Sequence, residues 1–207
     1  MIRLGILGSG SGSNMQAILD AIQNGQLEAE IVMVLSDIPD AYILERAGQA
    51  GLPTGLIDCR GLRSKFPEDA QREAADILKQ AGAELICLAG FMRLLRSPLL
   101  DAFPGRIINI HPSLLPDFPG LDAWTQAVEA GARESGCTVH YVDRGMDTGP
   151  IIAQARVPVH PNDTPGSLHA RIQGEEHKTY PAAIATVAVE IERQLAPGND
   201  RPQKTVL

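Results

Sequence analysis

The feature that most constrains the fold is an alternation of short apolar runs with segments whose apolar residues recur at helical spacing. The first run, Ile2 to Leu7, leads through a Gly/Ser loop to Met15, Ile18 and Leu19, which share one helical face. Such alternation is typical of βαβ units around a largely parallel sheet. It predicts further strands at 31–35, 54–57, 85–89 and 106–110, and further helices around 42–50 and 74–81.

The pattern changes in the second half of the chain. Residues 137–142 alternate, residues 144–149 read as a Gly-bearing turn, and residues 151–159 read as a returning strand. This order favours a hairpin over another crossover helix. The predicted fold is therefore α/β: a Rossmann-like, mostly parallel sheet flanked by helices, with an antiparallel hairpin in the C-terminal half.

A last helix is predicted from Thr164-Pro165 to about Leu195, since proline is favoured at the first helical position. Pro181 is expected to break or kink this helix, because proline lacks the N–H that the helix interior needs. We expect a single domain over residues 1–195, with lobes at about 1–100 and 101–195. A flexible tail is expected at 196–207.

Composition restricts the function. The 207 residues include 25 acidic and 18 basic side chains, for a formal net charge of −7, which argues against a nucleic-acid partner. Cys59, Cys87 and Cys137 are odd in number and lack paired spacing, so neither a disulfide framework nor a metal site is expected. No apolar run approaches ~20 residues, and no signal segment precedes Ile2. We expect a cytoplasmic protein without a membrane partner; a homodimer is compatible with the sequence.

The loop from Gly8 to Asn14 contains three glycines and three serines between the first strand and the first helix. Ser13 or Asn14 falls near the start of that helix, where free N–H groups and the helix dipole favour an anion. The spacing differs from that of a nucleoside-triphosphate loop, but a dinucleotide fold stays open, with Asp37 as its ribose-binding acid. A tight turn without a ligand is the alternative.

Two groups of polar residues follow further along the chain. Asn109 and His111 alternate with apolar residues, so both side chains point to one side at the end of a strand. An amide beside an imidazole suits a reaction that builds charge on a carbonyl oxygen. Asp147 lies in a glycine-bearing loop that could return to His111, although such aspartates are commonly turn residues. His140 by itself is typical of a half-buried structural histidine.

Six segments follow one another along the chain: 10–14 (GSGSN), 88–95 (LAGFMRLL), 109–116 (NIHPSLLP), 136–142 (GCTVHYV), 147–152 (DTGPII) and 173–177 (QGEEH). In this order they resemble the folate-dependent formyltransferases, and the first loop favours the branch that acts on glycinamide ribonucleotide. The similarity extends from residue 1 to about 195. The resemblance implies transfer of a formyl group from the cosubstrate 10-formyltetrahydrofolate to the amine of glycinamide ribonucleotide. Both implied partners are small molecules.

The resemblance also implies roles by position. The first lobe would hold the substrate phosphate, and the second would hold the folate and the chemistry. The catalytic trio would be Asn109, His111 and Asp147. The substrate-phosphate loop would be Gly12, Ser13 and Asn14. The ribose and glycinamide contacts would be Gln173 and Glu176. The folate contacts would be Met92, Arg93, Leu94, Leu95, Asn109, Val142, Asp143, Arg144, Gly145, Met146 and Asp147. Arg63 and Lys65 compete for the folate tail.

Other interpretations stay open at this stage. The segment 91–95 also suits ordinary core with Arg93 at the surface, and Glu176 and His177 suit a solvated helix face. Relatives that act on methionyl-tRNA or a nucleotide sugar share the trio, but we expect no room for their extra C-terminal domain. A 10-formyltetrahydrofolate hydrolase is the closer rival, although its regulatory domain would precede Ile2. A nicotinamide-dependent oxidoreductase would leave the trio unexplained.

Overall fold

Seven strands and six helices are present in the computed structural model, which describes residues 1–62 and 65–195. The strands are β1 (Ile2–Leu7), β2 (Ala29–Ser36), β3 (Thr54–Leu56), β4 (Leu85–Leu88), β5 (Ile107–His111), β6 (Glu134–Tyr141) and β7 (Ile151–Pro158). The helices are α1 (Ser13–Gln23), α2 (Tyr42–Gln49), α3 (Glu68–Gln80), α4 (Ser97–Ala102), α5 (Ala123–Glu129) and α6 (Pro165–Leu195).

All seven strands belong to one sheet in the order β3-β2-β1-β4-β5-β6-β7. The first five strands along the chain pair in parallel, whereas β6 is antiparallel to both β5 and β7. The register between β5 and β6 places Asn109 opposite His140. The predicted fold class is confirmed, including the antiparallel hairpin in the C-terminal half.

The sheet has a core on each face because its central strands are apolar on both sides. Ile6 and Ile108 pack into one cluster with residues of α1, α2, α5 and α6. Leu7 and Ile107 point the other way, into a second cluster with residues of α3 and α4. Strands buried on both faces read as continuous apolar runs, which explains why they are visible in the sequence. Helices on both faces leave the carboxyl ends of the parallel strands open for a site.

Helix α6 is fixed to those strand ends by a tyrosine. Tyr180 is fully buried, and its hydroxyl donates to the carbonyl oxygen of Leu88 at 2.9 Å. The carbonyl oxygen of Ile108 lies 3.3 Å from the same hydroxyl. Since one hydroxyl proton serves the last residue of β4 and the second residue of β5, α6 is held at a defined depth over both strands.

Of the two outcomes predicted for Pro181, a break or a kink, the break is wrong, because α6 continues from Pro165 to Leu195. Proline removes one hydrogen bond, to the carbonyl four residues earlier, but Tyr180 and Ile184 on either side are fully buried. Packing against the sheet therefore outweighs the lost bond. Helices α4 and α5 were not predicted from the sequence, since six and seven residues are too short to establish a helical period.

Two predictions lie outside the described residues: the tail at 196–207 and the side chain of Arg63. Lys65 is described and exposed. Within residues 1–62 and 65–195, none of the helices combines the length and apolar character that crossing a bilayer requires. The same residues contain no cluster of three or more His, Cys, Asp or Glu arranged to hold a metal ion.

Candidate active site

A cavity of about 530 Å³ opens where β1, β4 and β5 end, under the N-terminal part of α6. Its walls come from distant parts of the sequence: 10–14, 88–95, 109–112, 120–124, 140–147 and the inner face of α6. With two exceptions, every described site residue predicted from the sequence lines this cavity. The exceptions are Lys65, which is exposed elsewhere, and Arg144, whose exposed side chain lies 3.5 Å from Asp101.

His111 has its two ring nitrogens in different surroundings. Nε2 lies 2.9 Å from the carbonyl oxygen of Phe118, which can only accept, so Nε2 carries a proton. Nδ1 lies 3.5 Å from Oδ2 of Asp147, too far for a direct hydrogen bond. The side chain is buried at the end of β5. A proton on Nδ1 is therefore close to a carboxylate and still able to reach a ligand in the cavity.

Asp147 is held in an unusual backbone conformation. Its φ is 56°, in the left-handed region that a non-glycine residue rarely adopts. Its Oδ2 accepts a hydrogen bond from the backbone N–H of Gly120 at 2.8 Å. That bond ties the 142–149 loop to the loop before α5 and aims the carboxylate at His111. Strained conformations of this kind concentrate at functional sites.

His140 is the member of the cluster that sequence reasoning left as a structural histidine. Its Nδ1 donates to the carbonyl oxygen of Tyr141 at 2.8 Å, so Nε2 is free to accept the amide N–H of Asn109 at 3.2 Å. Burial lowers the pKa of His140, although its hydrogen bond to the Tyr141 carbonyl and the charge of Asp147 act in the opposite direction. A neutral His140 thus fixes the orientation of the Asn109 amide, whose second N–H is left for a ligand.

The glycine-serine loop leads directly into the first turn of α1. Gly12 adopts a φ of +72° and forms the N-cap of α1, so Ser13 and Asn14 occupy the first turn of an 11-residue helix. The Nε2 of Gln173 donates to Oγ of Ser13 at 3.0 Å. The Nδ2 of Asn14 donates to Oε2 of Glu176 at 3.0 Å. The residues predicted to bind phosphate and those predicted to bind the ribose and glycinamide are therefore in direct contact.

Glu176 is buried, which corrects the alternative of a solvated helix face. Burial raises the pKa of its carboxyl group, and the hydrogen bond from Asn14 acts in the opposite direction. Oδ1 of Asn14 is also buried and has no hydrogen-bond partner among the described residues. Buried polar atoms are nearly always satisfied in folded proteins, so this acceptor together with Glu176 is suited to a polar ligand with hydroxyl or amine groups.

Apolar side chains are exposed on a second part of the cavity wall, here called the apolar end. Met92 and Leu94 are 59% and 43% exposed, and Leu121 and Met146 are 72% and 50% exposed. All four line the cavity. Exposed apolar groups that converge on a concave surface are typical of a small-molecule site rather than of scattered surface residues. Arg93, which the alternative interpretation left at the surface, is buried instead and paired with Asp37.

Sequence reasoning missed one pair on the cavity wall. The rings of Trp124 and His169 are stacked with centroids 3.8 Å apart and planes at 14°. Trp124 belongs to the unpredicted helix α5, so no element suggested it. His169 could have been found, because it lies four residues before Gln173 and seven before Glu176, on the same face of α6.

Comparison with known proteins identifies the family. The family model described as formyl transferase matches residues 2–184. The chain belongs to the formyl transferase family. This confirms the resemblance found in the sequence, and the match includes the loop of Gly12 and the trio of Asn109, His111 and Asp147.

The relatives of this formyl transferase differ in how much of their own length the match covers. The solved structure of glycinamide ribonucleotide transformylase 1 from Symbiobacterium toebii is 50% identical with a TM-score of 0.88, covering 92% of this chain and 89% of that one. Phosphoribosylglycinamide formyltransferase of Bacillus subtilis is 42% identical over 204 residues, 99% of this chain and 100% of that protein. Trifunctional purine biosynthetic protein adenosine-3 of Drosophila melanogaster is 49% identical over 185 residues, and the match spans only 14% of its length.

Proposed function

We propose that this formyl transferase moves a formyl group from 10-formyltetrahydrofolate to the amine of N1-(5-phospho-D-ribosyl)glycinamide, in the synthesis of purines. The observation that carries the proposal is the meeting of Asn109, His111 and Asp147 in one cavity with the helix start at Ser13 and Asn14. The names of the Bacillus subtilis and Symbiobacterium toebii relatives support it. The two partners are then small molecules, and three buried free cysteines suit a reducing cytoplasm.

The N-terminal turn of α1 would bind the phosphate of the substrate. Backbone N–H groups and the helix dipole favour a dianion there, and Gly12 allows the chain to approach closely. Glu176 and the free acceptor of Asn14 would then take hydroxyl and amine groups of the ribosylglycinamide. These contacts direct the reactive amine away from α6 and toward the end of β5.

The apolar end of the cavity would hold the folate, which supplies the formyl group when bound. The exposed side chains of Met92, Leu94 and Met146 suit the faces of a flat heteroaromatic ring. Backbone groups of 92–95 and of 142–147 at the rim would bind the edge of the ring. Arg144 does not line the cavity, and its side chain lies beside Asp101, so we expect its side chain to take no part.

Asn109 and His111 would stabilise the negative charge that develops on the formyl oxygen when the amine attacks. Asn109 offers the N–H that His140 does not use, and a protonated His111 offers Nδ1–H. One such donor is worth about 2.7–4 kcal/mol in barrier height. Asp147, whose Oδ2 lies 3.5 Å from Nδ1 of His111, would stabilise the imidazolium by charge and pass a proton, through water, from the attacking amine to the departing nitrogen.

The test is a difference-absorbance assay of the purified chain with 10-formyl-5,8-dideazafolate, with and without glycinamide ribonucleotide. Transfer that requires the amine is expected. We expect His111→Ala to lower kcat by about 10²–10⁴-fold, the usual contribution of general acid-base catalysis. His160→Ala is the matched control, because His160 is exposed and does not line the cavity.

Three results would contradict the proposal. Formate release at the same rate without the amine would assign a hydrolase instead. A response only to NAD or NADP would assign an oxidoreductase. A His111→Ala variant that turns over as fast as His160→Ala would remove the histidine from the chemistry.

A further inference from the structure

A buried ion pair lies directly behind the apolar end of the cavity. Nε of Arg93 donates to Oδ2 of Asp37 at 2.5 Å, and the two side chains are only 5% and 3% exposed. Removing two charges from water costs so much that apolar residues of similar volume are often at least as stabilising. Stability alone is therefore a weak reason for such a pair, so its other contacts matter.

The guanidinium of Arg93 also holds a second segment. Its Nη1 donates to the carbonyl oxygens of Leu62 and Lys65, at 2.5 and 2.6 Å. A planar guanidinium can satisfy a carboxylate and two carbonyls at fixed angles, which a lysine cannot. Arg93 therefore joins the segment that carries it to the end of β2 and to both sides of residues 63–64.

Ser9 connects this pair to the glycine-serine loop. Its Oγ donates to Oδ1 of Asp37 at 2.6 Å and accepts the backbone N–H of Met92 at 3.0 Å. Its own backbone N–H donates to the carbonyl oxygen of Gly90 at 3.0 Å. The start of the loop is thus attached to the 90–92 backbone at two points, and one of them depends on the hydroxyl.

Exposure alternates along the attached segment. Arg93 and Leu95 are buried, whereas Met92 and Leu94 are 59% and 43% exposed. Arg93 lies at a bend, and its side chain turns toward the ion pair while those of its two neighbours stay exposed. The inward attachment of Arg93 therefore determines that Met92 and Leu94 face outward, into the cavity.

We propose that Ser9, Asp37 and Arg93 are positioning residues that set the folate-facing segment 92–95 against the phosphate loop. The inference rests on the proposed function and deepens it, because none of the three side chains needs to touch the folate. Ser9 fixes the distance between the two surfaces, and Arg93 fixes which side chains of the segment face the ring. Asp37 orients both.

The decisive test compares Ser9→Val with Ser9→Thr, which have the same shape and differ only in the hydroxyl. We expect Ser9→Val to raise both the KM and the calorimetric Kd for 10-formyl-5,8-dideazafolate about tenfold, the scale of one lost hydrogen bond. The value of kcat at saturation should change less than about threefold, and Ser9→Thr should restore affinity. Equal folate affinity in Val and Thr variants that melt normally would overturn the proposal.

The double variant Asp37→Leu/Arg93→Met covers the case in which Ser9→Val does not fold, because it replaces the charges with apolar volume. We expect the double variant to fold and to bind the folate analogue at least about tenfold more weakly. Asp163→Asn is the control, since it breaks an Asp–Arg contact with Arg171 that does not line the cavity. A double variant with wild-type folate affinity would show that the network is purely structural. Loss of transfer in the wild-type chain would refute the proposed function instead, because the Kd is measured without turnover.

Discussion

Replacing Gly12 with alanine tests the geometry on which the proposed phosphate site depends. A Cβ at this position would lie 2.7 Å from Cα, 2.8 Å from Cβ and 2.9 Å from Cγ1 of Ile43. Ile43 is fully buried at the start of α2, and its backbone N–H donates to the carbonyl oxygen of Gly10, so it cannot move away cheaply. The φ of +72° adds a separate penalty for any side chain.

The two penalties can be estimated independently. A left-handed conformation costs an L-residue roughly 1–2 kcal/mol, and forcing extra volume into a packed site costs about 1–3 kcal/mol. Gly12→Ala should therefore lower the free energy of unfolding by about 2–5 kcal/mol, a large part of the stability of an ordinary domain. The affinity for glycinamide ribonucleotide should fall with it, because the first turn of α1 must shift.

Two other glycines separate the conformational penalty from the packing penalty. Gly25 has a φ of +70° and open space around its Cβ position, so Gly25→Ala should lose only the conformational part, about 1–2 kcal/mol. Gly10 has open space and no positive φ, so Gly10→Ala should be close to neutral. Urea unfolding followed by the fluorescence of Trp124, the single tryptophan, measures all three. If Gly12→Ala loses no more than Gly25→Ala, the reasoning about Ile43 is refuted.

Two further predictions concern α6. Because burial raises the pKa of Glu176, the folded state holds this proton more tightly than the unfolded state, and stability is lost as pH rises above the ordinary carboxyl range. Glu176→Gln should therefore gain stability relative to wild type between about pH 4 and about pH 7 in urea titrations; a difference that does not change with pH would argue against a buried charge. Tyr180→Phe leaves the Leu88 carbonyl oxygen without its donor and should lower the free energy of unfolding by about 1–3 kcal/mol. An unchanged urea midpoint would mean that the hydroxyl does not hold α6 to the strands.

The fold was predictable where one local pattern decides the structure. Strands β1, β4 and β5 are buried on both faces, so their apolar runs are unmistakable, and the hairpin of β6 and β7 follows from a short Gly-bearing connection. Short elements such as α5 form because the surrounding fold packs against them. The seven residues of α5 are too few to show a helical repeat of apolar residues in the sequence. Pro181 shows the same effect, since tertiary packing overrides a local preference.

The candidate site also contains residues that could be predicted from the sequence and residues that could not. Asn109 and His111 could be paired from the sequence because alternation along a strand is a local rule. The pairing of Asp37 with Arg93 could not be predicted, because the carboxylate and the guanidinium that neutralise each other are 56 residues apart in the sequence. His140 was undervalued for the same reason: its importance comes from the antiparallel register with Asn109, which only the assembled sheet supplies.

The carboxylate of Asp147 makes two contacts at once. One oxygen anchors the loop before α5 through Gly120, and the same oxygen faces the imidazole of His111. In the proposed reaction, the chemistry and the enclosure of the cavity depend on this one oxygen atom, so a change of the side chain would disturb both.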